Sequence, residues 1–400
     1  MNNKLIITKQ DNRIISAIYE ATEMVQVNVD QIGEKNILGN IYIGKVKNII
    51  KNINAAFVEI ADGQMCYLAL EEKLNPIYSK AKKTDKIVIG DEILVQISKE
   101  QVKTKAPVVT TNLNFTGKYV VLIHGKSVIG ISSKIEDEEE RKRIRGLMQK
   151  FKKDDYGFVV RTNAFHMREE RIQDEIQVLQ KQYEDIKEFG IHKNPFSLLY
   201  QTPPGYICDI RDGFADSIDE ILTDDADIFE KTKNYLENYQ IEDLPKLRLF
   251  EDKLISLGNL YSIKTKLENG LRDKVWLKCG GTIIIQPTEA LTVIDVNTGK
   301  AISGKNKVQE TFFKVNMEAA QETAKQLRLR NLSGIIIIDF IDMAQQKSKD
   351  MLMQELDDLF RLDPIKTTLV DMTALNLVEV TRKKVRKPLY EQIHNIGTDS

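Results

Sequence analysis

The residues best equipped for chemistry in this chain are two aspartates and an asparagine. Asp295 and Asn297 follow the apolar run Ala290-Leu-Thr-Val-Ile294, and Asp339 ends the run Ile335-Ile-Ile-Ile338. Two carboxylates and an amide oxygen are hard donors with no nitrogen or sulfur among them. Such a set suits a magnesium ion that keeps several waters and accepts a substrate phosphate as a further ligand. Taken singly, each aspartate could instead cap a helix or turn after its strand.

The elements around them decide whether the three act together. Both apolar runs are β-branched and bounded by Gly or Thr, which favours strands. Between them, residues 308–332 contain no Pro or Gly, and Phe312, Phe313, Val315, Ala319, Ala320, Ala324 and Leu327 recur at helical spacing. A strand-helix-strand crossover is right-handed in almost every case and makes its strands parallel, so Asp295 and Asp339 emerge at one sheet edge. Asn297, two residues past Asp295, lies on the same face of an extended segment. A rival reading uses Gly299-Lys-Ala-Ile-Ser-Gly304-Lys305, which nearly spells a phosphate-cradling loop and would make the chain an ATPase. That loop needs Ser or Thr next to hold magnesium, and Asn306 stands there.

With 400 residues, 42% of them hydrophobic, the chain can hold two to four domains. Its net charge of −1 gives no overall pull toward polyanions, so any such binding must use local patches. The charge is uneven: residues 209–230 are acidic, and Arg382-Lys-Lys-Val-Arg-Lys387 is basic. No long apolar run and no signal peptide at Met1-Asn-Asn-Lys4 lead to an expectation of a cytoplasmic protein without a membrane span. Cys66, Cys208 and Cys279 are far apart and the four histidines are scattered. Neither a zinc site, a disulfide framework nor a Cys-His or Ser-His pairing is readable.

Taken in order, Lys4 to Thr8, Arg13 to Tyr19 and Met24 to Asp30 read as strands of a sheet that is not obviously complete. Evenly spaced strands at 40–50, 55–60, 65–70 and 92–97 suit a small barrel such as the OB-fold. Phe57 and Tyr67 could stack bases there, with Lys45, Lys99 and Lys105 following a nucleic-acid backbone; alternatively the rings belong to the barrel core. Residues 118–123 and 129–131 read as a hairpin, followed by a helix over 137–151 and a strand over 157–160. That strand runs into Arg161-Thr162, a guanidinium fork beside a hydroxyl that can seat a phosphate. The alternative for Arg161 is an ion pair with a carboxylate of the Glu136 to Glu140 run. A second helix is expected over 168–189, a strand over 206–210, and helical spacings over 226–239 and 247–258. A hairpin turning on Gly280-Gly281 leads into the aspartate motif, and a helix over 347–362 and a strand over 367–371 follow it.

Ile294-Asp295-Val-Asn297-Thr-Gly299, Gln326-Leu-Arg-Leu-Arg330 and Gly334-Ile-Ile-Ile-Ile-Asp339-Phe-Ile-Asp342-Met343 together resemble the catalytic half of the ribonuclease E/G family. Weaker matches at Gly39 to Leu70, at Arg161-Thr162 and at Val378-Glu-Val-Thr-Arg-Lys-Lys384 extend the resemblance over nearly the whole chain. It implies an α+β multidomain fold. In that fold a ribonuclease H-like domain (1–35 and 206–270) is interrupted by an OB-fold RNA-binding domain (36–110) and a 5′-sensor domain (111–205). A DNase I-like catalytic domain (271–395) follows.

The resemblance also implies a magnesium-dependent endoribonuclease that cuts single-stranded, A/U-rich RNA in ribosomal RNA processing or mRNA decay and is stimulated by a 5′-monophosphate. In this reading Asp295 and Asp339 hold the metal, and Asn297 orients the scissile phosphate or the attacking water. Phe57, Tyr67, Lys99 and Lys105 hold RNA; Gly117, Val121, Arg161 and Thr162 bind the 5′-phosphate. A non-catalytic RNA-binding adaptor is the remaining rival. The family's zinc-binding C-P-x-C segment has no counterpart, since Pro388-Leu-Tyr-Glu-Gln-Ile393 follows the basic run, so zinc is not expected and a homodimer would need another interface. Asn376 stands where the family has Gly, a change compatible with a left-handed backbone.

Overall fold

The computed structural model describes residues 3–33, 37–70, 74–80, 82, 86–101, 105–213, 218–252, 254–299 and 308–394. The phosphate-loop candidate beyond Gly299 lies outside the described residues. The chain forms two compact units, residues 1–33 with 216–400, and residues 34–215. Among the described residues, no helix is long and apolar enough to cross a membrane.

In the first unit, strands Asn3–Gln10, Arg13–Glu20 and Glu23–Gln31 form an antiparallel meander. The sheet is completed from far along the chain, because Glu220–Thr223 pairs in parallel with the first strand and Leu247–Leu249 with Glu220–Thr223. Sequence spacing suggested helix from residue 247; instead Leu247–Leu249 supplies this edge strand, and helix starts only at Leu257–Leu260. Local spacing is outweighed there by the parallel ladder Leu247 makes opposite Ile221.

The second sheet of this unit has six strands in the order Lys274–Trp276, Thr282–Pro287, Leu291–Asn297, Gly334–Asp339, Leu377–Arg382 and Thr367–Met372. Helices Val308–Leu329 and Gln346–Arg361 contribute to the core formed with one face. That core joins Ile283, Ile285, Ile294, Val296, Ile336, Ile338, Val378 and Val380 of the sheet to Val315, Ala319, Leu327, Leu352, Leu356 and Phe360 of the helices. Side chains alternate across a strand, so Asp295, Ile335, Ile337 and Asp339 fall on the opposite face. Strand Leu377–Arg382, part of a stretch that matches the family only weakly, inserts beside Gly334–Asp339 and makes that strand internal. Its signal was Val378 and Val380 alternating with Glu379 and Thr381.

In the second unit, strands Ile41–Ile50, Ala55–Glu59, Met65–Ala69, Val108–Thr110 and Glu92–Lys99 close into a five-stranded barrel, the last pairing back onto the first. Beside the barrel, Ile129–Ile131, Tyr156–Val160, Val120–His124 and Asn114–Thr116 form a sheet covered by helices Glu138–Gln149 and Glu169–Glu188. The hairpin expected over 118–131 does not form: Ile129–Ile131 pairs in parallel with Tyr156–Val160, which stands between it and Val120–His124. The strand expected over 206–210 is the helix Gly205–Asp212. Pro204 precedes it, the carbonyl of Pro204 accepts from the amides of Ile207 and Cys208, and Tyr206, Ile207 and Ile210 are buried at helical spacing.

A buried polar network ties the six-stranded sheet to both of its helices. Arg382 and Asp363 are 3% exposed each. Arg382 donates through Nε to Asp363 Oδ2 at 2.7 Å, and through Nη1 to Asn331 Oδ1 at 3.1 Å and the Leu332 carbonyl at 2.9 Å. Asp363 follows one helix, Asn331 follows the other, and Leu332 leads into the Asp339 strand. Removing one partner leaves the other charge buried and uncompensated, so Asp363→Ala should destabilise the chain by about 3 to 5 kcal/mol. Denaturant unfolding checks this, and a loss below about 1 kcal/mol, the range of a surface pair, would show the network to be dispensable.

Candidate active site and nucleic-acid interface

Strands Leu291–Asn297 and Gly334–Asp339 pair in parallel with Leu291 opposite Ile335 and Asp295 opposite Asp339. The two carboxylates therefore stand on adjacent strands, roughly 4.8 Å apart at the backbone, on the face that the helices leave uncovered. Asn297 Nδ2 donates to Asp295 Oδ2 at 2.6 Å, which fixes that carboxylate and turns the amide carbonyl away from it. The Asp339 carboxyl is pushed above its ordinary value by partial burial and then by the negative charges of Asp295 and Asp342. Like charges brought together without a cation create a position that a cation relieves.

Asn316, Asn376 and Gly299 hold this edge in place. Asn316, fully buried on the crossover helix, donates through Nδ2 to the Ile341 carbonyl at 2.8 Å and accepts from the Ile341 amide at 3.1 Å, clamping the backbone just past Asp339. Its legible signal was an amide inside the apolar stripe Val315, Ala319 and Ala320. Asn376 adopts the left-handed conformation expected of it, at φ +64°, and bridges two side chains. Its Nδ2 donates to Asp342 Oδ1 at 3.0 Å, and its Oδ1 accepts from Lys349 Nζ at 2.6 Å. Gly299, at φ +53°, passes so close to the preceding hairpin that a Cβ there would lie 2.5 Å from the Gly280 carbonyl oxygen, so only glycine fits.

Among the described residues no group of three or more His, Cys, Asp or Glu side chains could enclose a metal. Two opposed carboxylates with one oriented amide beside them fit magnesium, which holds on to its waters and needs few protein ligands. They lack the nitrogen and sulfur donors of a closed structural zinc site.

In the barrel, Phe57 is directly opposite Tyr67 on the neighbouring strand, Tyr67 opposite Val108, and Val108 opposite Lys99. Paired residues share a face, so two rings, an aliphatic side chain and an ammonium form one row across four strands. Ala56, Val58, Cys66 and Leu68, on the alternate positions, fill the barrel core, and neither ring belongs to it. The two half-buried rings meet edge to face with centroids 6.2 Å apart. Lys99 and Lys105 are exposed.

Arg161 pairs with neither a Glu136 to Glu140 carboxylate nor solvent alone. Its Nη1 donates to the Gly117 carbonyl at 2.7 Å and to Asp212 Oδ1 at 2.8 Å. Thr162 Oγ1 shares a hydrogen bond with Ser132 Oγ at 2.9 Å, and Val121 lies opposite both Thr116 and Val159. The turn at Gly117 is held by Glu175, whose carboxylate accepts from the amides of Lys118, Tyr119 and Val120 at 2.6, 2.8 and 2.8 Å. A Cβ on Gly117 would lie 2.4 Å from that carboxyl group. Burial raises the Glu175 pKa even though the three amides and Arg161 favour its charged form.

Opposed carboxylates at a sheet edge, in a chain that also carries a barrel with an outward row of rings and lysines, mark this edge as the candidate site. The Ribonuclease E/G family model matches residues 114–385. Ribonuclease E of Nostoc sp. strain PCC 7120 is 34% identical over 397 residues, covering 98% of this chain and 57% of that protein. Ribonuclease G of Haemophilus influenzae is 31% identical over 96% of this chain and 79% of its own length, and ribonuclease G of Escherichia coli K12 is 30% identical over 97% and 81%. The chain belongs to the ribonuclease E/G family.

The raised Asp339 pKa has a definite sign. A carboxyl whose folded pKa lies above its unfolded value disfavours the charged folded state, so stability falls as pH rises through that window. Asp339→Asn should therefore raise the melting temperature of metal-free protein at neutral pH by a small amount, since the site is solvent-screened. It should also lose most of the stabilisation that magnesium gives the unsubstituted chain. Calorimetry in chelator and in magnesium tests both, and an equal magnesium shift in the two proteins would remove Asp339 from the metal site.

Proposed function

We propose that this chain is a magnesium-dependent endoribonuclease that cleaves single-stranded, A/U-rich RNA in the cytoplasm, in ribosomal RNA processing or mRNA decay, and is stimulated by a 5′-monophosphate. The observation that carries the reading is the in-register opposition of Asp295 and Asp339 at the sheet edge. Membership of a ribonuclease family supports the reaction class. In this reading 1–35 with 206–270 is a ribonuclease H-like domain, 36–110 the OB-fold domain, 111–205 the 5′-sensor and 271–395 the DNase I-like catalytic domain.

Asp295 and Asp339 would hold the metal, and Asp342, oriented by Asn376, adds negative charge beside them. A bound magnesium ion supplies a more acidic water and neutralises charge on the phosphate. Asn297 serves by its position: its amide holds the Asp295 carboxylate in one orientation and offers a polar group to a phosphate oxygen or to the attacking water. Phe57 and Tyr67 offer ring faces or edges to bases, and Lys99 and Lys105 offer charge to the backbone, so the strand is held without reading a fixed sequence. Gly117, Val121, Arg161 and Thr162 would contact the 5′-end.

Two measurements test this. Asp295→Asn should abolish cleavage of a 5′-labelled, A/U-rich single-stranded RNA in magnesium while its affinity for that RNA stays within about twofold, the spread ordinarily left by an independent site. Full activity of the variant sinks the site, and binding without cleavage by the unsubstituted chain leaves an RNA-binding adaptor. Phe57→Ala and Tyr67→Ala should each weaken RNA binding by about fivefold or more, given roughly 1 to 3 kcal/mol per stacked base, with cleavage at saturating RNA retained. Unchanged affinity in both variants would return the rings to a purely structural role.

A further inference from the structure

The Arg161 region contains an anion already seated where a phosphate would go. Asp212 Oδ1 accepts from Arg161 Nη1 at 2.8 Å and from Arg211 Nε at 2.9 Å, and Asp212 Oδ2 accepts from Arg211 Nη2 at 2.9 Å. Both guanidinium groups also hang on consecutive carbonyls, Arg161 on Gly117 at 2.7 Å and Arg211 on Thr116 at 3.5 Å. Two forks thus converge on one carboxylate, and the backbone they share is the turn that Glu175 holds by its three amides. Those amides, the groups a phosphate would otherwise use, are taken by a carboxylate built into the fold. The two arginines that donate to carbonyls of this turn are occupied as well.

Asp212 is the last residue of helix Gly205–Asp212, where the helix dipole disfavours a negative charge, so its seat owes nothing to the helix. It is also reachable, with side-chain exposures of 24% for Arg161 and 35% for Asp212. Burial acts to raise the Asp212 pKa, but Arg211 and then Arg161 hold it down to about 2, so the group stays charged across the physiological range.

We infer that Asp212 is an internal plug for a two-arginine phosphate seat: a 5′-terminal monophosphate displaces it and is then gripped by Arg161 and Arg211 together. The charge count favours the exchange. A phosphate dianion carries more negative charge than the carboxylate it would replace and offers three acceptor oxygens to the two forks. A 5′-hydroxyl has no charge with which to displace a carboxylate, so the plug makes end selection sharper than an open pair of arginines would. Arg211 thereby becomes a specificity-determining residue. The inference rests on the reading of Arg161 as part of a 5′-phosphate pocket, and the two can fail separately.

The measurement is the ratio of cleavage rates for matched 5′-monophosphate and 5′-hydroxyl RNAs, using the full chain in magnesium. Asp212→Asn keeps the shape and removes the charge, and should raise the ratio severalfold; Arg211→Gln should lower it by about tenfold, the effect of losing a hydrogen bond to a charged group. Calorimetric titration of uridine 5′-monophosphate into Asp295→Asn protein, with and without Asp212→Asn, reads the same exchange without catalysis, and affinity should rise when the plug is removed. Should Asp212→Asn fold poorly, Asp212→Ser and Arg211→Gln carry the test.

If Arg161→Gln leaves the ratio unchanged, the pocket itself is wrong, and the plug falls with it. If Arg161→Gln abolishes the preference while Asp212→Asn leaves or lowers it, or Arg211→Gln leaves it unaltered, the pocket stands and the plug is overturned.

Discussion

The parallel pairing of Leu291–Asn297 with Gly334–Asp339 is the constraint on which the candidate site depends. A shift of one residue in either strand would move every side chain of that strand to the other face. Asp295 or Asp339 would then face the helices, and Ile294 or Ile338 would face water. The register is fixed because Ile294, Ile336 and Ile338 are fully buried against Val315, Ala319, Leu352 and Leu356, so hydrophobic packing on one face determines where the carboxylates stand on the other. The buried Arg382 network closes the far end of the same strands, and Asn316 clamps the near end. Apolar packing sets the register and polar clamps hold its two ends.

Four carboxylates in this molecule meet their surroundings in different ways, and the contrast marks the site. Asp363 is buried with Arg382, Glu175 is seated among three backbone amides, and Asp212 lies between two arginines. Each has donors arranged around it, as a desolvated charge requires. Asp339 is instead set beside Asp295 and Asp342, whose negative charges add to burial in raising its pKa. A fold that gives those three carboxylates donors and sets Asp339 against two like charges stores a local electrostatic cost. In the proposed function a divalent cation removes it.

The barrel obeys the same separation of faces. Ala56, Val58, Cys66 and Leu68 pack inward at alternate positions, so Phe57 and Tyr67 on the same strands have nowhere to go but outward, opposite one another. Rings directly opposed on adjacent strands gain contact with each other, which keeps them ordered while they remain half-open to solvent. Closure of the barrel brings Lys99, from a strand distant in sequence, into the same row.

Much of the candidate edge was legible from sequence because its determinants are local. Two β-branched runs, an unbroken helical stretch between them and an acidic residue at each strand end dictate a parallel crossover with adjacent carboxylates, by chirality and alternation alone. The rings of Phe57 and Tyr67 were visible as candidates, but their face was not, since period-two patterns say which residues alternate and not which set is covered. Tertiary structure decided what depended on distant partners: the parallel strands that complete the first sheet, the strand Leu377–Arg382 that leads into the basic run, and the helix Gly205–Asp212 that sequence spacing made a strand. It also decided the partners of Arg161, because a guanidinium at a strand end can serve a phosphate, a nearby glutamate or a helix terminus equally well, and only the fold brought Asp212 and Arg211 to it.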